Sequence, residues 1–316
     1  MTASSRLQAV SDISAASWIT SGIGSFGSGV RSLLPQGFEA YARILHPAWA
    51  DNTPVPWSQV AAWSGRIIHR RVQFDSLIRP ASAPPHPPQP WKRAPARGNM
   101  PPVLLRRLCE ILGDHTQSPD RCWFCLWDGY GWIGNAAMAT AHASTQGPVS
   151  GDANGAAGQP PDDMELTLPP VFTEEIVQGP RVHLPQRSYF LLQGPLDAAM
   201  ELGWMLDASH FSPQSPNLFW PNDHSWCVAT EIDLDSSYVG GSKELVQRLV
   251  ADEELEALVA APEDPVDSRS DKINRLEQGI GRGNQHSRRR SAPDALLGLL
   301  AMDDWVYGYG CPRFST

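Results

Sequence analysis

The chain has 316 residues, a hydrophobic fraction of 41% and a formal net charge of −9. This length and composition are typical of a globular protein that buries a substantial core. The acidic balance argues against a general nucleic-acid binder, whose surface is basic. The first residues lack a basic start followed by an apolar stretch, and no run approaches the roughly 20 apolar residues of a membrane span. We therefore expect a cytoplasmic protein without a membrane or nucleic-acid partner.

Five cysteines are scattered along the chain, at Cys109, Cys122, Cys125, Cys227 and Cys311. They do not form the dense framework of a small secreted domain, so reduced thiols are expected. Cys122 and Cys125 have the spacing of a zinc or redox pair, but no second pair follows at zinc spacing. In a strand, positions i and i+3 point to opposite faces. We predict buried structural cysteines.

The predicted organisation is a single α+β domain over residues 31–275, with a small mixed or antiparallel sheet packed against several short helices. Residues 1–30 are rich in Ser, Gly and Ala and are expected to be poorly ordered. A Pro-rich insertion at about 80–102 and a Gly-rich one at about 144–163 interrupt the domain. Residues 276–316 are predicted to form a polar and basic tail with a short apolar helix.

Helices and strands follow from the periodicity of apolar residues. Helical spacing predicts helices over 39–45, 57–68, 103–112, 196–202 and 252–260, and one that Ser242 caps. Strands are predicted at 121–127, 165–168, 182–192 and 226–235. Two G-x-G-x-x-G matches, at 22–27 and 129–134, lack the context of a dinucleotide site. The second one is interpreted as a turn built around Asp128.

The stretch from Ser215 to Ser242 carries the candidate chemistry. In a strand over 226–235, the three carboxylates Glu231, Asp233 and Asp235 would share one face. Neighbouring carboxylates there repel each other by about 2.5 kcal/mol. Three arrangements offset this repulsion: water on an exposed face, a divalent cation such as Mg²⁺ or Ca²⁺, or arginines. Arg181 and Arg187 are plausible partners.

Two functions from different classes remain open. The first is binding of an unknown protein or small-molecule ligand without catalysis and without a cofactor, through a surface made of Trp127, Asp128, Trp220 and Trp226. The alternative is a divalent-metal-dependent hydrolase or transferase. There Glu231, Asp233 and Asp235 would hold the ion, and His224, beside Asp223, would be the general base.

Three segments resemble recurring blocks of hypothetical proteins from high-GC actinobacteria, namely LLPQGFEAYARILHPAW, CWFCLWDGYGW and SPNLFWPNDHSWCVATEIDLDSSYVGGS. The resemblance covers residues 33–275 without the two insertions. It implies a bacterial cytoplasmic protein. That group has no established activity, so the resemblance assigns no catalytic residues.

Overall fold

The structure, a computed structural model, describes residues 6–81, 87–134, 172–205 and 210–274. All described residues belong to one compact unit, within Met1–Leu276. The predicted strand at 165–168, the Gly-rich insertion at 144–163 and the C-terminal helix lie outside the described residues. None of the described helices is long and apolar enough to cross a membrane.

A nine-stranded sheet forms the centre of the described unit, and every neighbouring pair in it is antiparallel. The strand order is β1-β7-β5-β10-β11-β12-β2-β13, with β6 beside β7. The predicted α+β class is confirmed. The thirteen strands, including the small hairpins β3–β4 and β8–β9, are β1 (Gln8–Ala9), β2 (Ala40–Leu45), β3 (Ala48–Ala50), β4 (Thr53–Val55), β5 (Cys122–Trp127), β6 (Val182–Leu184), β7 (Arg187–Gly194), β8 (Gly203–Met205), β9 (Phe211–Pro213), β10 (Leu218–Pro221), β11 (Cys227–Ala229), β12 (Ser236–Gly241) and β13 (Ala257–Ala260).

In the described ranges, seven short α-helices pack around the sheet. They are α1 (Ser17–Gly22), α2 (Trp57–Ser64), α3 (Phe74–Leu77), α4 (Pro102–Gly113), α5 (Gly131–Gly134), α6 (Glu174–Gln178) and α7 (Lys243–Val250). The predictions of α2, α4 and α7 are confirmed, and the helical segment at 196–202 is a 3-10 helix, Leu196–Glu201. Ser242 caps α7 as expected, because its hydroxyl accepts a hydrogen bond from the Leu245 N–H at 3.1 Å.

Both faces of the sheet are buried. On β5, Cys122, Phe124 and Leu126 belong to one core cluster, which includes the apolar stripes of α4 and α7. Trp123 and Cys125 belong to a second cluster on the other face. An uninterrupted apolar sequence is what a strand buried on both faces requires. The prediction that Cys122 and Cys125 are buried with their thiols on opposite faces is confirmed.

The second core cluster is completed by the start of the chain. Residues 6–30, which the composition predicts to be poorly ordered, include β1, paired with β7, and the helix α1. Ile19 and Val30 are fully buried there. This segment therefore covers apolar surface of the sheet, a role that its Ser, Gly and Ala content does not reveal.

Parts of the Pro-rich segment pack against the rest of the fold. Trp91 is buried among the aromatic rings near α2 and α3, and Met100 belongs to the first core cluster. The Trp49 carbonyl accepts hydrogen bonds from the N–H groups of Lys92 and Arg93. Residues 87–102 thus include exposed positions but are tied to the fold at several points.

Two helix predictions are wrong. Residues 39–45 form β2, and residues 252–260 end in β13, which pairs with β2. Tyr41 and Ala42 point into different core clusters, as successive residues of a strand do. Because partner strands lie on both sides of β2, tertiary pairing decides its conformation.

Candidate functional site

The predicted strand over 226–235 is wrong in its second half. β11 ends at Ala229, and the Leu234 N–H donates to the Glu231 carbonyl at 3.0 Å, which closes a β-turn before β12 begins. Cys227 is paired with Gly240 across this hairpin. Glu231, Asp233 and Asp235 consequently lie in and beside a turn, and they do not share one strand face.

Arginine side chains hold these carboxylates. Arg187 donates from Nη2 to Glu231 Oε1 at 2.9 Å and to Asp233 Oδ2 at 2.8 Å, so the expected pairing with Arg187 is confirmed. Burial raises the pKa of Glu231, and the positive charge of Arg187 opposes this rise. Asp235 lies 3.9 Å from the buried Arg43, and burial raises the pKa of its carboxyl group too.

Arg187 and Arg43 offset the repulsion among the three carboxylates, which a divalent cation would otherwise have to offset. Two of the carboxylates share Arg187 and the third faces Arg43. Within the described ranges, no group of three or more His, Cys, Asp or Glu residues is arranged to hold a metal ion. The arrangement is that of an intramolecular ion-pair network.

Asp223 and His224 have structural partners in the turn after β10. The Asp223 carboxylate accepts 2.7 Å hydrogen bonds from the Thr116 hydroxyl and the Gln117 N–H. Partial burial raises the pKa of Asp223, but these hydrogen bonds outweigh it and the pKa is lowered. His224, at a positive φ of 55°, stacks on Trp18 with 4.2 Å between the ring centroids. Burial lowers its pKa, which Asp223 opposes.

Trp220 and Trp226 are core residues, so their assignment to a binding surface is wrong. Both are fully buried. Trp220 lies on the central strand β10, and Trp226 directly precedes β11. The Nε1–H of Trp226 donates to the Leu112 carbonyl at the end of α4, at 3.1 Å. The prolines around them suggested a loop, whereas the segment crosses the middle of the sheet.

Trp127 and Asp128, the other two predicted surface residues, lie at an aromatic face. We define this face as Trp127, Tyr130, Trp132 and Trp204, which are all half-buried. Trp127 meets Tyr130 edge-on at 5.2 Å, Tyr130 stacks on Trp132 at 5.7 Å, and Trp132 stacks on Trp204 at 4.9 Å between ring centroids. The rings come from the end of β5, from α5 and from β8.

Hydrogen bonds fix the centre of the aromatic face. The Tyr130 hydroxyl accepts from Gln214 Nε2 and from Asn217 Nδ2, both at 3.0 Å, and donates to the Gly98 carbonyl at 3.3 Å. Since Gln214 and Asn217 are buried, Tyr130 is held by the body of the fold. Because the other rings pack on Tyr130 directly or through Trp132, the face is pre-positioned. A ligand that binds there costs little conformational entropy of the side chains.

The edge of the aromatic face is charged, and it includes buried polar atoms that have no hydrogen-bond partner among the described residues. Arg181 Nε lies 3.5 Å from Asp128 Oδ2, and the Arg181 guanidinium sits 3.7 Å from the centroid of the Phe190 ring. The Nε1–H of Trp132 is buried and makes no hydrogen bond to the described residues. An indole N–H normally finds an acceptor when it is buried.

Sequence patterns located only part of this face. Trp127 and Asp128 were predicted, and the density of aromatic residues from 123 to 132 is a signal that also covers Tyr130 and Trp132. Trp204 was missed because it lies far along the chain. It reaches Trp132 only through the folding of the β8–β9 hairpin.

Comparison of the chain with family models, curated proteins and solved structures finds no match. What the fold and the site define is an α+β protein with a nine-stranded antiparallel sheet and a pre-positioned aromatic face.

Proposed function

We propose that this chain is a cytoplasmic binding protein without catalytic activity, and that the aromatic face contacts its ligand. The observation that carries this proposal is the half-buried stack of Trp132 on Trp204, beside Tyr130, which is hydrogen-bonded to the buried Gln214 and Asn217. Aromatic residues, held rigidly, are enriched among the residues that dominate binding energy. Either a protein surface or a small planar ligand suits such a face.

The cytoplasmic assignment is supported by the cysteines. Cys109, Cys122, Cys125 and Cys227 are all free and buried. Proteins that keep their thiols unpaired are typical of reducing compartments. The metal-dependent alternative has no comparable observation in its favour, because Arg187 is already hydrogen-bonded to both Glu231 and Asp233.

The test is a fragment screen by ligand-observed NMR, with planar aromatic fragments. The screen uses the full chain and its Trp132→Ala and Trp204→Ala variants. Trp49→Ala is the matched control, because Trp49 is half-buried and lies under Arg93, away from the aromatic face. We expect fragments that bind the wild type and the control but neither face variant. Binding that persists in both face variants would contradict the proposal.

A further inference from the structure

A second surface of the molecule is a groove with apolar walls and acidic residues at its rim. It lies between the β3–β4 hairpin, the start of α4 and the loop that joins α7 to β13. We call it the acidic groove and define it by its lining residues Leu45, Pro47, Pro54, Pro56, Ser58, Val103, Leu104, Glu253, Glu254, Leu255 and Glu256. It shares no residue with the aromatic face.

Part of the apolar surface of the groove is exposed. Val103 is 54% exposed, although α4 buries most of its other aliphatic residues. Pro54 is exposed and Pro56 half-buried on the opposite wall, while Leu104 and Leu255 are buried beneath. Exposed apolar surface in a recess with a polar rim is characteristic of protein interaction sites.

The charges of the acidic groove all have one sign. Glu253, Glu254 and Glu256 line it, and no Lys or Arg does. Glu253 is exposed, and none of the ion pairs among the described residues includes it. Glu254 is exposed as well, and lies 3.6 Å from Arg107 Nε. The rim therefore attracts a cationic partner and repels an acidic one.

The groove is held rigid from both sides. Glu256 accepts hydrogen bonds from the N–H groups of Trp57 and Ser58, at 2.5 and 2.6 Å, and so caps the start of α2. Asp252 accepts from Arg107 Nη2 at 2.7 Å and from Arg248 Nη1 at 3.0 Å. These bonds tie the 252–256 loop to α2, α4 and α7. A partner would meet a preformed recess.

We infer that the acidic groove docks a segment of a partner polypeptide in which an aliphatic side chain is flanked by Lys or Arg. The aliphatic side chain packs between Val103 and Pro54, and the cationic groups reach Glu253 and Glu254. The buried apolar contact supplies most of the affinity, since charges at an exposed rim contribute mainly to specificity and to the association rate.

The probe is a short fluorescein-labelled peptide that alternates pairs of leucines with pairs of lysines. Its binding to the full chain is measured by fluorescence anisotropy at low salt. Val103→Asp is expected to weaken binding about tenfold or more. Val259→Asp is the matched control, because Val259 is 58% exposed and lies outside the groove. The Glu253→Lys/Glu254→Lys double variant is expected to weaken peptide binding. Its control is Asp120→Lys/Glu263→Lys, which makes the same change in net charge outside the groove and should leave the affinity near the wild-type value.

Affinity that is unchanged in Val103→Asp would overturn the inference, as would an equal loss in Val259→Asp. Equal losses in the two charge-reversed variants would mean that net charge alone attracts the peptide, which also overturns it. Analytical ultracentrifugation of the chain without peptide shows whether a second copy of the chain occupies the groove, because it measures the oligomeric state. Self-association that Val103→Asp abolishes would assign the groove to a dimer instead. None of these outcomes affects the aromatic face.

Discussion

Arg187 and Glu231, 44 residues apart in sequence, are joined by two hydrogen bonds to one carboxylate oxygen. Nε and Nη2 of the guanidinium lie 3.1 and 2.9 Å from Glu231 Oε1. The side chains are 17% and 14% exposed, so water screens the pair only weakly. The pair connects the start of β7 to the turn after β11, and it holds the segment that the sequence singled out for chemistry.

Replacement of Arg187 by Gln is expected to destabilise the protein by about 1–3 kcal/mol, because it leaves a mostly buried carboxylate unpaired. Since the folded-state pKa of Glu231 is already raised and would rise further, the deficit should be larger at neutral pH than at about pH 4. Urea unfolding at the two pH values measures it. Arg187→Gln/Glu231→Gln should recover most of the loss, and a deficit equal to that of the single variant would contradict this account.

The exposed ion pair between Lys92 and Asp51 supplies the control for that experiment. Its nitrogen and oxygen lie 2.8 Å apart, but the side chains are 67% and 74% exposed. Exposed pairs of this kind contribute between zero and about 1 kcal/mol. Lys92→Gln is therefore expected to leave the unfolding free energy nearly unchanged.

The elements predicted well from sequence are those whose local pattern and tertiary environment agree. The apolar stripe of α4 has one buried face, and the apolar run of β5 has two. β2 was mistaken for a helix because its neighbours β12 and β13 come from residues about 200 positions away. The turn at Glu231–Leu234 was missed because it contains neither Gly nor Pro, the residues that usually mark turns.

The candidate site was only partly predictable for a similar reason. Arg187 was named as a partner of the acidic residues, and Trp127 and Asp128 as surface residues. The sequence does not distinguish these from Trp220 and Trp226, because an aromatic side chain serves equally well in a core or on a binding face. The position of each strand in the sheet decides between the two.

His46 is the centre of a buried hydrogen-bond chain. Its Nδ1–H donates to the Ala96 carbonyl at 2.9 Å, so Nε2 accepts from the Ser237 hydroxyl, also at 2.9 Å. Ser237 and Thr230 hydroxyls are 2.7 Å apart. Burial lowers the pKa of His46 from 6.5 to about 4. The neutral ring satisfies this chain, and protonation would turn Nε2 from an acceptor into a donor.

The buried, neutral His46 should make the protein less stable as the pH falls from 6.5 to about 4, against the opposite contribution of Glu231 and Asp235, whose pKa values burial raises. In this window the unfolded chain binds a proton at His46 that the folded protein excludes, which costs up to about 3 kcal/mol. Urea unfolding over a pH series measures the loss, and His46→Gln should flatten it. Burial also lowers the pKa of His224, so the same pH series with His224→Gln is needed as a control that separates the two histidines. A pH profile unchanged in His46→Gln would refute the role of the buried ring.

The four described cysteines are expected to resist alkylation in the native protein. Burial raises the pKa of the Cys122 thiol to about 12 and raises those of Cys109, Cys125 and Cys227 further. The reactive thiolate is therefore scarce as well as inaccessible. Iodoacetamide labelling followed by peptide mass spectrometry should show these four positions unmodified in buffer and modified in denaturant. Native labelling of Cys122 or Cys125 would reveal local opening of β5.

The tryptophans should separate into two groups when replaced by Ala. Trp226→Ala is expected to cost about 3–5 kcal/mol, because it removes a fully buried ring and its hydrogen bond to Leu112. Trp204→Ala should cost less than about 2 kcal/mol, since the ring is half-buried. Chemical unfolding measures both. Equal losses of unfolding free energy in the two variants would show that Trp204 contributes as much to stability as a core tryptophan. The stacked rings of the aromatic face would then have a structural role.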